Sequence, residues 1–102
     1  DALTNQFVLS ARLQALNTLR YTPAGLAALD LWLEHESTAK EAGIERQVKL
    51  RIKALAFGAI AQTLARQDLN TEYGFTGFIA TSRNGKGVVF HIQELLPQSL
   101  TS

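Results

Sequence analysis

The chain has no cysteine, no methionine, only two prolines and a single tryptophan. Without cysteine there are no disulfides, no thiolate nucleophile and no cysteine-based zinc site, a composition that a reducing compartment permits. Without methionine, the numbering is expected to begin after processing or trimming. No apolar run approaches the ~20 residues of a membrane-spanning helix, and the first residues lack a charged stretch followed by an apolar one. The expectation is a cytoplasmic protein that makes no use of a membrane. There is no nucleophile elbow of the Gly-x-Ser-x-Gly type. Gly85-Lys86-Gly87 is too short for a phosphate-binding loop and does not precede a helix. His35 and His91 have no carboxylate spaced to complete a metal site, and both are expected to be structural. An enzyme is therefore the least supported class, with no catalytic residue, metal or cofactor expected.

What the chain does have is an uneven distribution of charge. With 102 residues, 46% hydrophobic and 19% charged, it fits one compact domain with a modest core, expected over residues 1–97 with 98–102 as a flexible tail. Its formal net charge is only +1, yet Asp30 to Glu45 sums to −4 and the next eight residues sum to +4. Those eight, Arg46 to Lys53, hold four of the ten basic residues and no acid. In a strand, Val48, Leu50 and Ile52 point one way and Lys49, Arg51 and Lys53 the other. A row of cations above an apolar row suits a polyanion backbone, since each phosphate met releases a counterion. It equally suits a solvated strand face.

Alternation also predicts the other elements. Thr4 to Leu13 reads as a first strand, with Phe7, Leu9, Ala11 and Leu13 on one side. Tyr21-Thr22-Pro23-Ala24-Gly25 is turn chemistry. Leu26 to Glu36 sets Ala27, Leu29, Leu31, Leu33 and His35 against Ala28, Asp30, Trp32, Glu34 and Glu36, a strand pattern in residues that favour helix. Ser37 to Gly43 reads as an exposed loop before the basic strand. Phe57, Ile60 and Leu64 recur at helical spacing, giving a short helix over about 58–66. Glu72 to Ala80 and Val88 to Leu96 are strands, joined at Ser82 to Gly87 by Asn-Gly, the strongest short hairpin signal. Gly74 and Gly77 mark a bend or bulge inside the first of these.

Three strands, a short helix and a two-strand hairpin are the order of an all-β OB-fold, a five-stranded Greek-key barrel with one short helix between strands 3 and 4. Its second and third strands and its 1-2 and 4-5 loops commonly bind oligonucleotides. An antiparallel α+β sheet fits the same string.

Several stretches resemble primosomal replication protein N, the bacterial PriB family, itself similar to single-stranded DNA-binding proteins. They are Asn5 with Val8-Leu9-Ser10, Pro23 with Gly25, Leu33-Glu34-His35 with Ser37, and Glu41-Ala42-Gly43 followed by Arg46-Gln47. Gly77-Phe78-Ile79, Asn84-Gly85 and His91 extend the similarity into the last hairpin. The resemblance implies a non-catalytic homodimer of OB-folds that binds single-stranded DNA in replication restart. It also implies work with the primosomal helicase PriA and the loader protein DnaT. It implies a grip by basic residues of the hairpin loop and by a tryptophan on the third strand. Lys49 occupies that tryptophan's position, and a shorter loop keeps Arg83 and Lys86.

The candidate nucleic-acid-binding residues are thus Lys49, Arg51, Lys53, Arg83 and Lys86, with Arg20 weaker on the same logic. Each has a bland reading beside it. Lys49, Arg51 and Lys53 would pair across the sheet with Asp30, Glu34 and Glu36, and the loop cations would serve solubility. Single strands are normally held by stacking on aromatic rings. Phe78, outward in phase, is the stacking candidate. Trp32, outward between two acids, is assigned to packing at a subunit contact or under the 37–43 loop. Phe7, Phe57, Tyr73 and Phe75 are assigned to the core. Two further classes stay open: a protein-interaction module of the primosome with little DNA contact, and an OB module acting on RNA, because nothing reads a 2′-hydroxyl.

Overall fold

The computed structural model describes residues 3–97 and contains six strands and one helix. They are β1 (Phe7–Leu16), β2 (Arg20–Tyr21), β3 (Ala27–Glu41), β4 (Ile44–Phe57), α1 (Ala59–Ala65), β5 (Glu72–Thr81) and β6 (Val88–Pro97). The sheet runs β1-β5-β6-β4-β3-β2, and a further β1 to β3 pairing closes it into a barrel. All neighbours are antiparallel except β4 with β6, which run parallel from Ala54 opposite Phe90 to Ala56 opposite Ile92. The expected five-stranded OB barrel with its one helix is the observed fold. The two-residue β2 is an addition, so the predicted second and third strands are β3 and β4. The expected tail, 98–102, lies outside the described residues.

Alternation decides the long strands, against propensity in the case of β3. Ala27, Leu29, Leu31 and Leu33 are buried, and with Leu9, Ala11 and Leu13 of β1 they line one side of the core. Ile52, Ala54 and Ala56 of β4, Phe75 of β5, and Phe90 and Ile92 of β6 complete it. Phe7 meets Phe90 edge-to-face at 4.8 Å. The helix closes one end by inserting Ala61 and Leu64. Burying a Leu or Phe side chain contributes about 1.5–3 kcal/mol, so this non-local cluster can hold Leu-rich β3 extended.

Two expectations need correcting. Ser37 to Gly43 is not a loop, because β3 continues to Glu41 and pairs with β4 down to Glu41 opposite Ile44. The chain reverses at Ala42 and Gly43, both at positive φ (53° and 77°), which is what a tight two-residue hairpin demands. Alanine there gives no turn signal. Every residue from Glu36 to Lys49 is exposed, so this hairpin is an arm beyond the barrel. The second correction concerns Phe57. It ends β4 on the outward side, 37% exposed, and is not a core residue.

The glycine expected to mark a bulge does so. The β5 to β6 register shifts between Thr76 and Gly77, and a Cβ at Gly77 would lie 1.8 Å from the His91 carbonyl oxygen. Backbone cannot yield there as a flexible side chain could. Gly77→Ala is expected to lower stability by about 1–3 kcal/mol or more, the range for overpacking. Urea unfolding followed by circular dichroism measures it, and a loss below about 0.5 kcal/mol would contradict the close approach.

Candidate nucleic-acid interface

The outward row of β4 reads Lys49, Arg51, Lys53, Leu55, Phe57. In the sheet register, Glu36 of β3 lies opposite Lys49, Glu34 opposite Arg51 and Trp32 opposite Lys53. The expected cross-strand pairing is realised only at the first position, where Lys49 Nζ is 3.7 Å from Glu36 Oε2. Glu34 instead accepts from Arg12 of β1 at 2.6 Å. That hydrogen bond, reinforced by the carboxylate's charge, raises the Arg12 guanidinium further above its already high range. Asp30 accepts from Arg20 at 2.9 Å. With Glu34 taken, Arg51 lies over the Trp32 ring, 4.0 Å from its centroid, and donates from Nε to Gln14. Among the described residues no carboxylate comes within 4.0 Å of Lys53, Arg83 or Lys86.

The turn between β5 and β6, the 4-5 loop of the five-strand count, is ordered by its own hydrogen bonds. Asn84 Oδ1 accepts from the Lys86 backbone N–H at 2.8 Å. The Ser82 hydroxyl lies 2.6 Å from Asn84 Oδ1 and 2.7 Å from the Lys86 carbonyl. Gly85 and Gly87 both take φ of +75°, so the loop turns tightly and places Arg83 and Lys86 beside the β4 face.

Two clefts result. Arg20, Lys53, Phe57 and Arg83 line one of about 220 Å³, with Asp30 at its wall. Trp32, Arg51, Lys53, Asn84 and Lys86 line the next. Lys53 belongs to both, so Arg20, Arg51, Lys53, Arg83 and Lys86 share one continuous surface with Trp32. Lys49 lies toward the arm, in a hollow it shares with Arg51 and with Glu34 and Glu36. Trp32 is not beneath the 37–43 segment, which is strand and arm; it underlies Arg51.

Phe78 lies on the far side of β4 from the arm. It stacks on His91 at 4.7 Å and 8°, and His91 faces Phe57 at 6.2 Å and 23°. Sequence reasoning missed His91 and Phe57 as members of this group. The available signal was phase: Phe57 continues the β4 outward row two residues beyond Leu55. His35 does act structurally. A carbonyl can only accept, so in the neutral ring its Nδ1–H donates to Ser10 O at 2.6 Å and Nε2 accepts from the Ser37 hydroxyl at 2.7 Å.

A closed OB barrel with a cation-lined outer face and an ordered 4-5 loop is the architecture of single-strand binding proteins. Residues 5–94 match the model of that class described as another single-strand binding protein family. The chain belongs, within it, to the replication restart protein PriB family. The protein of that name from Bordetella pertussis is 45% identical over 91 residues, covering 88% of this chain and 85% of its own. That from Nitrosomonas europaea is 34% identical over 91 residues, covering 88% and 84%. Among solved structures, PriB of Ralstonia solanacearum superposes with a TM-score of 0.86 at 36% identity, covering 95% of this chain and all (100%) of that one. The single-stranded DNA-binding protein of Thermus aquaticus gives a TM-score of 0.75 at 25% identity, covering 96% of this chain and 52% of its own.

The guanidinium over Trp32 has a direct spectroscopic consequence, because the chain has one tryptophan. Arg51→Ala uncovers the ring and is expected to shift its emission to longer wavelength, at a stability loss of about 0.5–1 kcal/mol. Emission identical to the parent protein would mean that the cation does not cover the ring in solution.

Proposed function

We propose that this protein binds single-stranded DNA in replication restart, without a catalytic step, by laying phosphates along Arg20, Arg51, Lys53, Arg83 and Lys86. The observation that carries the proposal is the gathering of these five cations, from three separate stretches of the sequence, around two adjoining clefts that share Lys53. Lys53, Arg83 and Lys86 are the strongest phosphate ligands, since among the described residues no carboxylate lies within 4.0 Å of them. Arg20 and Lys49 bind less, because Asp30 and Glu36 already neutralise them. Trp32 belongs, in this reading, to the DNA track and not to a subunit contact, since it lines the same cleft as Lys86. The names and fold of the relatives support the assignment, and the family resemblance extends it to a bridging homodimer acting with the PriA helicase and the DnaT loader.

The contacts are with phosphate and ring faces, so binding is sequence-tolerant and falls with salt. Fluorescence anisotropy with labelled oligonucleotides of mixed sequence should give submicromolar binding at moderate salt. Each of Lys53→Ala, Arg83→Ala and Lys86→Ala should reduce the slope of log affinity against log salt by about 0.7. Lys49→Ala should change it less. An unaltered slope in the triple variant would overturn the assignment, and absence of binding would favour a protein-interaction module whose cations meet an acidic partner surface.

A further inference from the structure

Glu34 stands between two arginines. In the sheet register it lies opposite Arg12 of β1 on one side and opposite Arg51 of β4 on the other. Side chains so placed have Cβ atoms about 4.5–5.5 Å apart, so the carboxylate can reach either guanidinium. It takes Arg12, at 2.6 Å. Glu36, the other carboxylate in the hollow around Arg51, meets Lys49 at 3.7 Å and accepts from Gln47 at 3.2 Å. Arg51 is left to the Trp32 ring, 4.0 Å from its centroid, with Nε donating to Gln14. The same strand supplies that second contact through an irregularity. Leu13 is opposite Leu33 but Ala15 is opposite Trp32, so Gln14 is an extra residue in the β1 ladder, the kind of bulge that re-aims a side chain. A guanidinium held through Nε presents its two terminal nitrogens, which suit a phosphate in two parallel hydrogen bonds.

Arg12 itself is not on the DNA track. It lines neither cleft of that surface. Its own hollow is shared with Glu34, Glu36 and Glu72, three carboxylates that repel a phosphate. The same three favour its charged form, Glu34 most strongly through the hydrogen bond. From this we infer that Arg12 is a positioning residue for DNA binding: by engaging Glu34 it keeps that carboxylate off Arg51, whose guanidinium then stays on Trp32 and open to phosphate. Without Arg12, Glu34 has one guanidinium left in register, that of Arg51. Pairing there would take Arg51 out of the track and bring a carboxylate to the track's edge. The inference rests on the single-stranded DNA reading above, and extends it to a residue that the strand does not touch.

The positioning has an optical readout that needs no DNA, since Trp32 is the chain's one tryptophan. Arg12→Ala should shift its emission to longer wavelength, as expected for Arg51→Ala. Arg12→Lys keeps a cation for Glu34 and should leave the emission at the parent position. With oligonucleotides, Arg12→Ala should reduce the slope of log affinity against log salt by about 0.7, the share of one phosphate contact. The affinity ratio between about 50 and 200 mM salt then shrinks about 2.6-fold. Adding Glu34→Gln to Arg12→Ala should restore both slope and emission, because that position no longer carries a charge to draw Arg51 away. In an Arg51→Ala background, Arg12→Ala should change the slope no further. Arg12 and Glu34 are each 41% exposed, so melting curves of these variants should overlay the parent within a few degrees. Emission in Arg12→Ala identical to the parent would overturn the inference. So would a slope lost in Arg12→Ala and not restored by Glu34→Gln, which would mean that Arg12 meets phosphate itself. In both cases Lys53→Ala would still flatten the slope and the DNA assignment would stand. A parent protein without salt-dependent binding would overturn that assignment, and with it the effect of Arg12 on binding, whatever the emission showed.

Discussion

Leu29, Leu31 and Leu33 have no exposed surface, and an extended chain leaves their neighbours no choice about where to point. Once those leucines are committed to the barrel, Trp32 and Glu34 must face outward, and the antiparallel register fixes what each meets on β4. A slip of one residue would drive Lys53 and Arg51 into the core, at the cost of burying unpaired charges. The position of every outward cation on β4 is therefore a by-product of apolar burial on the other side of the sheet. Recognition needs no separate device to position it.

Within that frame the acids sort the cations. Four carboxylates lie on β3: Glu36 and Glu41 meet Lys49 and Arg46 of β4, while geometry directs Glu34 to Arg12 and Asp30 to Arg20. These exposed pairs contribute little to stability, because solvent screens them and long side chains must be ordered to form them. Their larger effect is on what remains: Arg51 turns to an aromatic face, and among the described residues Lys53 has no carboxylate within 4.0 Å. A nearly neutral protein thus presents one surface with a positive field.

The barrel was legible because its strands alternate cleanly, and because Asn84-Gly85 and Gly77 mark a turn and a bulge by mechanisms that only small residues serve. Three things were not. The arm was hidden because Ala42 occupies a positive-φ position normally held by Asn or Gly, so its turn looked like the end of a polar loop. Phe57 was hidden because hydrophobicity argues for burial wherever phase is ambiguous, and at a strand-to-helix junction two periods compete. The sorting of ion pairs was hidden because it depends on β1, whose Arg12 and Gln14 reach the β3 and β4 side chains only after the barrel has closed. Cations such as Lys53 and Arg83 were identifiable one by one; that they converge is a property of topology.

The hydrogen bonds inside the 4-5 loop have an entropic consequence. A surface loop that becomes ordered only on binding gives up conformational freedom at that moment, and each immobilised side chain subtracts about 0.5–1.5 kcal/mol from affinity. Here Ser82, Asn84 and the glycines have already fixed the backbone that carries Arg83 and Lys86. What is left to freeze is the two side chains alone. The ordering of that segment belongs to folding, so under the proposed function an arriving strand would meet a shape that is already made.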